Sequence, residues 1–126
     1  MPIQVPDVPS AVSPLGPYST ATEAAGLVFV SGQVAIDPAT DTRIEGDVRA
    51  QAVQVMENLG GILGDLGLSY GDIAKTTIFL DDMADFPVVN EVYGGYFADK
   101  PPARSTVEAG ALPGGFLVEI EVIAAR

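Results

Sequence analysis

Between Asp47 and Gly67 the apolar residues Val48, Ala52, Val55, Met56, Leu59, Ile62, Leu63 and Leu66 recur at spacings of three and four. That period puts them on one face of an α-helix, and a helix with one long apolar face has to lie against another layer. Asp47 stands where an N-cap belongs and Gly67 where a C-cap belongs. Gly60, Gly61 and Gly64 each cost about 1 kcal/mol relative to alanine inside such a helix. Its second half therefore needs packing to hold it, or a close approach to a sheet that side chains would block.

The rest of the chain supplies that layer. Four prolines in the first sixteen residues predict an extended arm with at most a short strand at Ile3 to Val5. Tyr18 to Thr22 and Leu27 to Ser31 read as a hairpin turning at Ala25-Gly26, and Asp37 to Asp41 as a loop. Ile73 to Leu80 is a strand rich in β-branched residues. A second helix uses Phe86, Val89, Val92, Tyr93, Tyr96 and Phe97, with Pro87 tolerated in its first turn. Ala103 to Ala109 and Phe116 to Ala124 are the last strands. The order β-β-α-β-α-β-β predicts an α+β fold, a mixed sheet with both helices on one face. At 126 residues the expectation is a single domain over residues 1–126.

The chain has no cysteine and no histidine. Disulfides, thiolate nucleophiles, Cys/His zinc sites and imidazole chemistry are excluded, which leaves carboxylates, tyrosine, hydroxyls, lysine, backbone groups and water as catalysts. The reading calls for no metal and no cofactor. Six cations against 17 acids give a net charge of −11, so neither nucleic acid nor an anionic membrane surface is an expected partner. The first residues have neither a basic stretch nor an apolar one, no segment reaches the ~20 apolar residues of a membrane span, and a cytoplasmic setting is expected. A hydrophobic content of 48% predicts apolar surface closed against other subunits.

Arg104 is the residue that points to chemistry, a cation in the otherwise strand-like segment from Pro101 to Val107. A guanidinium matches a carboxylate with a planar fork of donors, so it can anchor an anionic ligand or pair with one of the chain's own acids. In an extended Phe116 to Ala124, Glu119 and Glu121 share one face about 7 Å apart, with Val118, Ile120 and Val122 on the other. That separation suits an inverting glycosidase, but a chain without tryptophan lacks a sugar platform. The plain alternative is that one glutamate pairs with Arg104 while the other faces solvent or a subunit contact. Gly16-Pro17-Tyr18-Ser19 and Val30-Ser31-Gly32-Gln33 place small polar or aromatic groups beside glycine at strand ends, as ligand contacts or as ordinary turns. Asn90 reads as a structural amide, and Tyr93, Tyr96 and Phe97 as core.

These stretches, with Gln51 through Asn58, Thr76 through Met83, Phe86 through Tyr93, Pro102-Ala103-Arg104-Ser105 and Val118-Glu119-Ile120-Glu121, resemble the reactive intermediate deaminase A family, RidA or YjgF/UK114, nearly end to end. The resemblance implies a chorismate-mutase-like subunit in a homotrimer with sites between subunits. It implies an enzyme, a 2-iminobutanoate/2-iminopropanoate deaminase that hydrolyses 2-aminoacrylate and 2-imino acids to 2-keto acids and ammonia. By the same resemblance Arg104 binds the substrate carboxylate, Glu119 positions the water, and Tyr18, Ser31, Gly32, Asn90 and the backbone beside Thr106 line the pocket. Some members carry cysteine where Thr106 stands, so no thiol can be obligatory here. The alternative on the same scaffold is a non-catalytic sensor of small 2-keto acids; a ribonuclease fits the charge badly.

Overall fold

The computed structural model of the chain describes residues 2–126. Its first helix, α1 (Val48–Asp65), buries seven positions of the three-and-four pattern, and the eighth, Leu66, is buried as its C-cap residue. The Asp47 side chain accepts the Ala50 amide at 3.0 Å, which satisfies one of the free N–H groups of the first turn. At the other end Gly67 takes φ +74°, its amide reaching Gly64 O and that of Leu68 reaching Leu63 O. This is a Schellman ending, which requires a left-handed residue at the glycine.

Of the two reasons expected for the helix glycines, packing applies at Gly60, and not a close approach to the sheet. A Cβ at Gly60 would collide with the Tyr70 hydroxyl, which donates to Met56 O at 2.7 Å. It is this tyrosine, rather than the sheet, that comes close to the helix backbone. A Cβ at Gly64 would meet no other described residue within 4 Å beyond the helix's own backbone.

The sheet has the order β1 (Ala21–Ala24), β2 (Leu27–Gln33), β7 (Val118–Ala125), β5 (Ile73–Leu80), β6 (Ala103–Glu108). The β5–β6 pair is parallel and the others are antiparallel, so the sheet is mixed. A parallel pair needs a crossover, and α2 (Phe86–Gly94) supplies it. Val118, Ile120, Val122 and Ala124 of β7 are buried on the side of the sheet that α1 covers. On the opposite face Leu27, Phe29 and Val107 remain between 37% and 43% exposed.

Several boundaries move. β1 starts three residues later than expected, because Tyr18 turns back on Gly16 through a 2.8 Å backbone hydrogen bond. The short N-terminal strand is a single bridge, Gln4 to Glu23. The loop over residues 37–41 is flanked by β3 (Ile36–Asp37) and β4 (Thr42–Arg43), a two-stranded ribbon whose strands are too short to show alternation. Asn58 of α1 ties this ribbon down by donating to Ile36 O at 2.8 Å. Tyr96 and Phe97 lie beyond the end of α2, yet they still pack as core, with Phe97 4.8 Å from the Tyr93 ring. No helix among the described residues is long and apolar enough to cross a membrane.

Candidate functional site

The parallel register pairs Thr76 with Arg104 and Ile78 with Thr106, so Arg104 and Thr106 point to the helix side of the edge strand β6. There the Arg104 Nη1 donates to Asn90 Oδ1 at 2.7 Å, and the guanidinium lies 5.1 Å from the Tyr93 ring and 5.4 Å from that of Phe86. Tyr93 is itself fixed by a 2.8 Å hydrogen bond to the Thr76 hydroxyl. Among the described residues the ion pairs within 4 Å are Arg49–Glu91 and Arg126–Glu23, so Arg104 touches no carboxylate. This corrects the ion-pair reading of Arg104 with Glu119 or Glu121. An amide oxygen and two aromatic faces orient the cation without neutralising it, each ring contributing about 0.5–1 kcal/mol at such an exposed place. Beside it the buried Thr106 Oγ1 has no hydrogen-bond partner among the described residues.

Glu119 lies elsewhere. The β2–β7 register runs Val30 to Val122 and then Gln33 to Ile120, so Ser31 and Gly32 together oppose Glu121. This is a β-bulge, a device that re-aims side chains and recurs beside active sites. Ser31 is pinned by its hydroxyl donating to Ser19 O at 2.7 Å. A Cβ on Gly32 would collide with the Glu119 carboxylate, so the glycine is what lets that carboxylate lie over the bulge. Glu119 is half-buried, and its pKa is raised above the ordinary carboxylate value, first by burial and then by the like charge of Glu121.

A cleft of about 570 Å³ opens there, lined by Tyr18, Ser31, Gly32, Glu119 and Glu121 and by the apolar Val12, Leu15, Val34, Ile36 and Phe116. Glu119 and Glu121 do share one face, as their alternation predicts. The structure thus sorts the expected residues into two groups. Tyr18, Ser31, Gly32 and Glu119 gather in the cleft; Arg104 and Asn90 meet at the β6 edge, with Thr106 on the same side of that strand. Within one chain the groups lie on opposite faces of the sheet. Sequence reasoning missed Phe86 and Tyr93 as supports of Arg104, because helical spacing signals core and carries no mark of a neighbouring cation. Among the described residues no group of three or more His, Cys, Asp or Glu is placed to hold a metal ion.

Residues 8–126 match the family described as Endoribonuclease L-PSP. A mouse protein named 2-iminobutanoate/2-iminopropanoate deaminase is 42% identical over 116 residues, 92% of this chain and 86% of the relative. The chain belongs to the RidA/YjgF/L-PSP family. Protein DfrA of Myxococcus xanthus, a relative with 52% identity over 112 residues, covers 87% of this chain and 86% of its own length. The crystal structure of E. coli TdcF with bound serine superposes with a TM-score of 0.91 at 38% identity, over 98% of both chains. The family match thus spans both groups of residues, from Tyr18 in the cleft to Arg104 on the edge strand and Glu119 on the last one. RidA relatives share the α+β subunit, a mixed five-stranded sheet with two helices.

Proposed function

We propose that the chain is an imine deaminase, hydrolysing 2-aminoacrylate and small 2-imino acids to 2-keto acids and ammonia as a homotrimer with its sites between subunits. The observation that carries this is the placement of two lone charges. Among the described residues Arg104 is a cation with no carboxylate within 4 Å, and Glu119 a half-buried carboxylate with no cation within 4 Å. They lie on opposite faces of one sheet, so facing them across a ligand takes two copies. The exposed apolar residues Leu27, Phe29 and Val107 on the open face give such copies a surface to close on. The mouse relative's name and the serine held by TdcF, an α-amino acid with a free carboxylate, agree with a ligand of this class.

Arg104 offers its remaining donors to the substrate carboxylate and fixes the reacting carbon. An enamine moves a proton from nitrogen to its terminal carbon, by way of solvent, and becomes the electrophilic imine. Glu119 orients a water and takes a proton from it as the new C–O bond forms, while the imine nitrogen gains a proton to give the carbinolamine. Collapse to the C=O bond breaks the C–N bond, with the hydroxyl proton accompanying the departing ammonia. One imine and one water give one keto acid and one ammonia, with no oxidant or cofactor. Tyr18, with 54% of its surface exposed in the single chain, shapes the wall. Desolvation suits Glu119 to this work, since it raises the basicity of the carboxylate toward the operating pH.

The test uses imines generated from alanine or 2-aminobutanoate by an amino-acid oxidase, with ammonia and keto acid followed together. Faster, stoichiometric release supports the reading. Tight 2-keto acid binding without any acceleration makes the protein a sensor, and a stable monomer by light scattering removes the shared site. The net charge of −11 argues against RNA as substrate.

A further inference from the structure

The proposed mechanism uses the polar part of the cleft and leaves its apolar part without a task. A 2-imino acid carries three substituents on the reacting carbon: the carboxylate, the nitrogen and a side chain. With the first assigned to Arg104 and attack on the carbon assigned to Glu119, the side chain faces what remains, Val12, Leu15, Val34, Ile36 and Phe116. Phe116 is the largest of these, 6% exposed, and its setting is built with care. The Arg43 guanidinium stacks 4.2 Å from the centre of its ring, and Arg43 Nη1 donates to Gly114 O at 2.6 Å. Gly114 takes φ +77°, and a Cβ there would stand 2.8 Å from Phe116 Cε2, so the turn itself is shaped to the ring. At the next residue, the buried Gln51 accepts the Leu117 amide at 2.9 Å. Arg43 belongs to β4, paired with the cleft residue Ile36, so ribbon and turn close on Phe116 together.

We propose that Phe116, clamped by Arg43 across the turn at residues 113–115, is the wall that sets substrate side-chain size, fitting the site to short apolar 2-imino acids and excluding aromatic ones. Arg43 is a positioning residue that acts through Phe116. This rests on the deaminase reading, but its geometry applies equally to bound 2-keto acids. Acidic side chains are also disfavoured there, because Glu119 and Glu121 carry the same charge.

The experiment compares kcat/KM for the imines of alanine and phenylalanine, and in parallel the Kd for pyruvate and phenylpyruvate. Phe116→Ala is expected to move both ratios toward the aromatic ligand by about tenfold, the lower range of what pocket size achieves. Arg43→Ala should shift them severalfold the same way, and Arg43→Lys, which keeps a cation over the ring, should lie nearer the unchanged protein. Phe116→Leu serves as the milder variant if the alanine form does not fold. Ratios within about twofold of the unchanged protein in these variants, or moving the other way, overturn the proposal, including when both ligands weaken equally. If the unchanged protein binds keto acids without releasing ammonia, the deaminase reading fails while the Kd ratios still decide the role of Phe116.

Discussion

The two halves of the candidate site handle charge in opposite ways. At the β6 edge a guanidinium is exposed, bonded to a neutral amide and flanked by two rings, so it keeps its full charge for a partner. In the cleft a carboxylate is half-buried over a bulge beside a second carboxylate, so its charge is disfavoured and its basicity raised. On the proposed reading the first half binds an anion and the second moves a proton. Because one sheet holds them on opposite faces, that reading needs an interface between two copies to bring binding and chemistry together.

The strongest attack on this contrast removes the binding half. Arg104→Ala should lower kcat/KM for 2-iminopropanoate roughly a thousandfold, the scale of losing one partner of a desolvated charge pair, with circular dichroism and oligomer size unchanged. Refolding that variant together with Glu119→Gln should restore part of the activity, since some interfaces then carry both intact residues; no recovery in the mixed oligomers would reject a site shared by Arg104 and Glu119. Glu119→Gln alone should cost several hundredfold in kcat, within the usual range for a general base, and leave keto acid affinity in place.

That same change should stabilise the fold at neutral pH. The folded pKa of Glu119 lies above its unfolded value, so between the two the folded state holds more protons and stability falls as pH rises. The neutral glutamine escapes this, raising Tm at pH 7, with the gap closing as pH falls toward the ordinary carboxylate value. On the same grounds the low-pH limb of the rate profile should lie above that of an unperturbed glutamate. Gly32→Ala displaces the carboxylate without deleting it, and a loss of up to about a hundredfold in kcat is expected, as for a misplacement near 1 Å.

How much of this was legible in the sequence follows from which signals are local. The α1 face, its cap at Asp47 and its glycine ending depend on neighbours three or four residues away, and all eight buried positions were readable. The shared face of Glu119 and Glu121 follows from alternation within one strand, and β5 runs over Ile73–Leu80 as read. The side of the sheet on which Arg104 lies was not readable, because it is set by the β5–β6 register, a long-range pairing that an isolated edge strand does not encode. The bulge at Ser31-Gly32 exists only relative to β7, so the segment looked like an ordinary strand end. An excess of acids made an ion pair for Arg104 reasonable on composition. Geometry gave it an amide and two rings instead.

The smallest change is the most discriminating for the neutral setting of Arg104. Asn90→Asp keeps the shape of the contact but places a carboxylate where the 2.7 Å amide oxygen stands. An exposed pair of this kind adds only about 0–1 kcal/mol, so Tm should rise slightly or stay level. The guanidinium, however, would then meet a ligand carboxylate as a group already paired, and keto acid affinity should fall about tenfold, measurable by calorimetry, because a second anion must share one cation. Glu119 lies on the far face of the sheet, so the pH dependence of stability that it causes should not move. If affinity survives with an aspartate at that position, neutral support is not what keeps Arg104 available, and the contrast between the two halves reduces to their placement alone.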